Sequence, residues 1–361
     1  MKVMQLEVSE QTHQQRQMIV LGTCLLRGED APAKGHLTVL DIIDVVPDPA
    51  KPESGIRLKL FSQEETKGAI TALEEFPGGL IGTGQGMKVM IRGLKEDGSC
   101  LPVAFLDAQC YTNVLKTLGQ TGFWLAGDAW KGLWFGGWTE EPYRLTVMGR
   151  SRTNLEVVQA EFLPFDGGLY IVVVDAEMNA YVFEWDPENP KSMGGRSLLR
   201  RGEMHLGHWP TAMVLLPSTL KSAEAQQRDV NSAATNGDHV ADEPSQAPQL
   251  QHVLMTFASG AVGLITPLEE SAYRRLFALQ TFLANTLEHA AGLNPRAYRA
   301  VDAESGDAAA GARGMIDGNL IRRVGELGLI RRSDALSRAG MDAWSLRSDL
   351  EVIGGGGLSY L

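Results

Sequence analysis

The chain has 361 residues, 44% of them hydrophobic and 21% charged, the make-up of a folded protein and not of wholesale disorder. Thirty-three Lys and Arg against 44 Asp and Glu leave a net charge of −11. That balance excludes non-specific binding of nucleic acid or anionic membrane by the chain as a whole, although a local basic groove stays open. The length is that of about two domains. Cys24, Cys100 and Cys110 are odd in number, widely spaced and form no Cys-x-x-Cys, so neither a disulfide framework nor a zinc ribbon is expected and a reducing compartment fits. No apolar run approaches the roughly 20 residues that span a bilayer.

In chain order, the first stretch reads as a strand and lacks a signal-peptide core. Up to residue 216 the chain is dense in short β-patterned runs, among them residues 18–21, 37–40, 87–91 and 170–174. Gly-rich turns separate them. A unit recurs: a strand, a turn, then a second strand opening on or near Gly. Its second strands start near residues 34, 85, 130, 178 and 259, and each is preceded by an apolar run starting at residue 18, 80, 123, 170 or 252. The early intervals are about 45–50 residues, the size of a four-stranded propeller blade. The predicted fold is therefore mainly β: a partial or complete WD40-like β-propeller over residues 1–266 with about five blades, followed by an α-helical C-terminal part. Five blades fall short of many closed rings and leave open edges, so the chain reads as a C-terminal piece of a longer chain whose upstream residues complete the ring. Residues 221–249 are rich in Ala, Gln, Ser, Asn and Asp and are expected to be a disordered insertion between two strands of one blade.

Beyond residue 266 the pattern turns helical. Thr266 offers an N-cap, Pro267 a first helical position and Glu269 a capping-box partner. Leu268, Ala272, Leu276, Leu279, Leu283 and Leu287 follow on one face, and Gly292 is the expected stop. Further helices are predicted over residues 317–327, 333–339 and 342–352 within a helical domain spanning 267–353. Residues 303–314 read as a mobile linker and 354–361 as a flexible tail. Leu276, Leu279, Leu283, Leu287, Ile316, Leu320 and Ile321 are expected to dock this helical domain onto the propeller.

Signs of chemistry are sparse. Gly82-Thr-Gly84-Gln-Gly86 lacks the following helix that a dinucleotide fingerprint requires, and reads as a hairpin turn. His205 and His208 lie three apart on a strand pattern, facing opposite sides, and read as structural imidazoles. No nucleophile elbow, cofactor motif or metal-ligand set is visible, so no cofactor is expected and a propeller enzyme would lack its convergent titratable groups. Trp124, Trp130, Trp134 and Trp138 cluster in one segment. Blade-to-blade packing is the plainer reading, and a partner-binding patch the alternative. Arg200 and Arg201, among several Arg pairs with acidic neighbours, join them as candidate partner contacts.

One ordered set of motifs carries a resemblance. It runs from Gly22-Thr-Cys24 and Gly28-Glu-Asp30, through Lys34-Gly-His-Leu-Thr-Val-Leu-Asp-Ile-Ile-Asp-Val-Val-Pro47, Lys67-Gly-Ala-Ile-Thr-Ala-Leu and Ala126-Gly-Asp128. It continues through Leu198-Leu-Arg-Arg201, His205-Leu-Gly207 and Gly260-Ala-Val-Gly-Leu-Ile-Thr-Pro267 to Ile316-Asp-Gly-Asn-Leu-Ile321. In this order, over about residues 17–350, the chain resembles the C-terminal region of the largest subunit of the cleavage and polyadenylation specificity factor (CPSF). Related proteins include the large subunit of the damaged-DNA-binding complex and a splicing-factor subunit. The resemblance implies three β-propellers and a helical domain, with this chain supplying most of the third propeller. It also implies a nuclear, non-catalytic scaffold of pre-mRNA 3′-end processing that holds the other subunits of the complex, with pre-mRNA contacted weakly or through them. The alternative it leaves is the same fold as an adaptor in DNA-damage, ubiquitin-ligase or splicing complexes.

Overall fold

In the computed structural model the alternation near the start becomes strand β1 (Lys2–Ser9), with Met4, Leu6 and Val8 buried and Val3 and Gln5 exposed between them. The structure describes residues 1–9, 12–29, 31–47, 55–221, 249–301 and 311–354. β1 opens a four-stranded antiparallel sheet completed in order by β2 (Gln14–Gly22), β3 (Gly35–Asp44) and β4 (Ile56–Thr66). The second sheet is β5 (Ile70–Phe76), β6 (Leu80–Gln85), β7 (Lys88–Leu94) and β8 (Cys100–Asp107). The third is β9 (Thr112–Thr117), β10 (Phe123–Asp128), β11 (Gly132–Glu140) and β12 (Tyr143–Arg150). The fourth is β13 (Val157–Phe165), β14 (Gly168–Asp175), β15 (Asn179–Trp185) and β16 (Leu199–His205). The fifth has three strands, β17 (Pro210–Lys221), β18 (Gln249–Phe257) and β19 (Val262–Ile265).

Among the described residues this up-and-down order is that of propeller blades, five in number, as the repeat implies. The repeated unit read from the sequence is the second and third strand of each sheet. All four complete sheets carry a register shift where the third strand meets the fourth, after Val39, Ile91, Phe135 and Val182. Such a bulge bends the outer strand and strengthens its twist. The insertion lies between β17 and β18 of one sheet, and its residues 222–248 fall outside the described ones.

The chain divides into two compact units. The first holds residues 1–160 and 186–198, hence the first three sheets. Within it the sheets pack face to face. Met4, Leu6, Met18 and Val20 of the first sheet meet Ile70, Ile81 and Leu94 of the second. Phe76, Leu80 and Ile91 of the second meet Leu115, Trp124 and Trp138 of the third. The second unit holds residues 161–185 and 199–361. There Val172 and Val174 of β14 share a core with Met213, Val253 and Met255 of the fifth sheet.

Helices follow in that second unit: α1 (Glu270–Thr286), the short α2 (Pro295–Tyr298), α3 (Gly318–Arg322), α4 (Leu329–Ala339) and α5 (Ala343–Ile353). α1 starts later than the capping pattern predicted. Glu269 is its N-cap, without a side-chain bond, and the Thr266 hydroxyl lies 2.9 Å from His252 Nδ1 and does not cap the helix. It also ends before Gly292, which falls in a separate 3-10 turn. The helix predicted over 317–327 is α3, capped by Asp317, followed by a 3-10 turn at Arg323–Glu326. α4 begins four residues before the predicted start, and Asp342 caps α5 through the Ser345 amide. Residues 303–310 of the expected linker and 355–361 of the expected tail lie outside the described residues.

Candidate interaction surface

The tryptophan segment divides between core and surface. Trp124 on β10 and Trp134 and Trp138 on β11 are buried, at 0%, 4% and 6% exposure. Trp138 meets Phe76 edge-on with centroids 5.9 Å apart and stacks on Tyr143 at 5.8 Å. The Arg150 guanidinium lies 4.2 Å over the Trp134 ring. At Gly136 a Cβ would stand 2.2 Å from the Trp124 ring, so only glycine admits the indole there. These three tryptophans are therefore sheet-to-sheet packing and are out of a partner's reach. Trp130, in the turn between β10 and β11, is 57% exposed.

Asp128, at the end of β10 and buried, organises that turn. One carboxylate oxygen accepts from the Trp130 and Lys131 amides, each at 2.9 Å, and the other accepts from the Cys110 amide at 2.9 Å. The loop carrying exposed Tyr111 is thereby tied to the loop carrying Trp130. The Ala129 amide also donates to the Tyr111 carbonyl at 2.8 Å, and the Ala108 amide to the Met87 carbonyl at 2.9 Å. Exposed Met87, Tyr111 and Trp130 thus stand along one rim of the second and third sheets. In the sequence Asp128 stands in the Ala126-Gly-Asp128 motif with no role assigned to it. The signal was available: Asp closes a second strand and a turn residue opens the third four residues on, at Asp128/Gly132 and again at Asp175/Asn179.

Arg200 and Arg201 lie on β16, in the second unit, whereas the four tryptophans belong to the first. Arg200 pairs with Glu203 at 3.1 Å, and Arg201 donates to Glu184. Nearby, the Asp175 carboxylate accepts from the Glu177 and Asn179 amides at 3.0 and 2.8 Å, the Asn179 side chain at 3.2 Å and the Tyr181 hydroxyl at 3.1 Å. Burial, together with that carboxylate, pushes the Tyr181 phenol far above its ordinary range. His205 Nδ1 lies 2.9 Å from Asn179 Oδ1, and His208 Nδ1 lies 3.2 Å from Ser259 Oγ, so each imidazole has a structural neighbour.

The expected helical docking residues turn out to be a core of their own. Leu276, Leu279, Leu283, Leu320 and Ile321 are buried with Val324, Leu327, Ala335, Leu336 and Leu346, and Leu287 and Ile316 pack against that cluster. The apolar stripe of α1 is covered by other helices, which corrects the expectation that it faces the sheets. What joins this region to the fourth sheet is polar backbone. Glu203 and Arg313 exchange amide–carbonyl bonds of 2.7 and 2.9 Å, and the His205 amide donates to the Arg299 carbonyl at 3.1 Å. The Arg299 guanidinium donates to the His205 and Leu206 carbonyls at 3.0 and 3.1 Å and to Asp317 at 2.8 Å. Gly314, at φ +62°, passes so close to the Arg201 carbonyl that a Cβ would stand 2.1 Å from it. Arg313 and Gly314, expected in a mobile linker, are pinned to this strand edge.

Among the described residues no group of three or more His, Cys, Asp or Glu is placed to hold a metal, and no helix is long and apolar enough to cross a membrane. Cys24 is exposed. Cys100 is half-buried, and burial raises its thiol pKa.

Comparison with known proteins gives the same picture over the whole chain. Residues 1–326 match the family described as the CPSF A subunit region. The chain is 50% identical to Protein cft1 of Aspergillus fumigatus and 48% identical to that of Aspergillus clavatus, each over 361 residues, 100% of this chain and 25% of the relative. It is 34% identical to Protein cft1 of Schizosaccharomyces pombe over 345 residues, 96% of this chain and 23% of that protein. The chain spans about a quarter of the length of the relatives it matches. On this match the chain belongs to the CPSF A subunit region family.

Proposed function

We propose that this chain is part of a non-catalytic scaffold subunit of the nuclear pre-mRNA 3′-end cleavage and polyadenylation machinery. In this reading residues 1–266 belong to the family's third propeller and residues 267–353 to its helical domain. The observation that carries the proposal is family membership over residues 1–326, joined by 50% identity to a cft1 protein along the full chain. The architecture supports it. Rigid antiparallel sheets present loop-lined rims that need little ordering when a partner binds. The strongest polar constellations, around Asp128 and Asp175, are satisfied by backbone amides and neighbouring side chains, the mark of structural groups. With a net charge of −11, pre-mRNA contact is secondary to protein contact.

The test is affinity purification of the full-length protein from nuclear extract, with the co-purifying subunits identified by mass spectrometry. Cleavage and polyadenylation subunits are the expected partners. Recovery of ubiquitin-ligase or splicing subunits in their place overturns the reading.

A further inference from the structure

The first unit is polarised. Register places the ends of β2, β4, β6, β8 and β10 and the starts of β3, β5, β7, β9 and β11 on one rim of its three sheets. On that rim Met87, Tyr111 and Trp130 are exposed, two of them aromatic. Beside them stand Lys67, next to the Gly68–Gly86 backbone approach, and Lys131 in the Asp128-held turn. Both lysines are exposed, and neither ammonium has a carboxylate partner among the described residues. The opposite rim carries Asp44, Glu96, Asp97, Glu140 and Glu141 in its turns.

An aromatic and methionine ridge with cations beside it is the make-up of a protein contact with a few dominant anchors. We propose that the rim formed by Met87, Tyr111 and Trp130 with Lys67 and Lys131 docks an acidic protein segment carrying large apolar side chains. The apolar residues of that segment cover the ridge, and its carboxylates meet the two lysines. Charge decides between protein and RNA as the occupant. Of the other rim cations, Lys34 and Arg27 pair with Glu65, Lys88 with Asp107 at 3.4 Å, and the Arg150 guanidinium lies 4.2 Å over the Trp134 ring. Two lysines without a carboxylate partner, set among such carboxylates, are a poor match to a phosphate backbone and a good match to a short acidic peptide. The Asp128 bonds fix both aromatic loops before a partner arrives, so little ordering cost falls on this side.

The proposal rests on the scaffold reading and names one of its surfaces. The experiment places a photoreactive benzoylphenylalanine at position 130 of the full-length protein, purified with its partners, and identifies crosslinked segments by mass spectrometry. The expected product is a protein segment of net negative charge with at least two large apolar residues. The paired charge reversal Lys67→Glu and Lys131→Glu, at exposed positions that leave the melting profile unchanged, lowers the crosslink yield by about tenfold, equivalent to ~1.4 kcal/mol. Crosslinks to RNA alone, to neutral or basic segments, or with a yield indifferent to charge reversal overturn it, as does the absence of any crosslink. If the purified partners are not polyadenylation subunits, the scaffold assignment fails, while the chemistry of the crosslinked segment still judges the rim.

Discussion

The same turn is built twice and put to different use. At the end of β10, Asp128 directs its carboxylate to the amides of two loops, and the side chains those loops carry, Tyr111 and Trp130, point into solvent. At the end of β14, Asp175 turns instead toward Asn179 and Tyr181, and through Asn179 to His205, whose ring meets Tyr298 edge-on with centroids 5.8 Å apart. One corner is open and the other is sealed by the segment leading into the helices. The difference teaches that the aspartate sets the turn, whereas the next layer of chain decides whether the turn becomes a surface or an interior.

The comparison can be broken most severely from the helical side. Leu283→Asp puts an unpaired carboxylate at a site of 0% exposure, and a loss of more than about 4 kcal/mol is expected for the helical core. Limited proteolysis then cuts within residues 270–354 while the first unit resists. Equal susceptibility of both would show that the helical core has no stability of its own. Next comes the floor under the open corner. Trp124→Ala should cost about 3–5 kcal/mol, because the indole fills space between two sheets. Trp130→Ala, six residues away, should stay within about 0.5 kcal/mol, because that ring faces solvent. A thermal melt of the pair separates core from surface.

The two aspartates can then be compared directly. Asp128→Ala strands three amides and Asp175→Ala two amides and two side-chain donors, each at a cost of about 2–3 kcal/mol. Hydrogen exchange should rise at residues 110, 130 and 131 in the first variant and at 177 and 179 in the second. The smallest effect is one of pH. Burial lowers the pKa of His252, on β18, below its ordinary value. The unfolded chain takes up a proton that the folded one refuses, so the stability this residue contributes is complete above about pH 6.5 and is lost as the pH falls from there toward the folded pKa. His252→Asn should flatten that part of a pH–stability profile, and an unchanged slope would remove His252 from the account.

What the sequence reveals follows burial. Second and third strands such as β6 and β14 are legible because most of their residues are buried. The outer strands are not, because exposure hides their pattern. β4 leaves Ile56, Leu58 and Leu60 at the surface, at 66%, 52% and 54% exposure. The helical apolar face is legible from its spacing, yet spacing cannot say what covers it, and other helices do. Thr266 reads as a cap because no local pattern reveals that a histidine 14 residues earlier claims its hydroxyl. The open corner escapes notice for a similar reason. Its organiser is one aspartate whose three bonds go to backbone, which leaves no mark on the residues bonded.

The pinned segment at Arg299 and Arg313 has a cost when it is lost. With it in place, the outer edge of β16 has its outward amides at Glu203 and His205 paired. A truncation or proteolytic nick that frees residues 299–315 would bare hydrogen-bonding backbone beside a Val-rich sheet, an invitation to intermolecular strand addition and aggregation. The backbone at Arg299 and Arg313 is in this sense a guard on solubility.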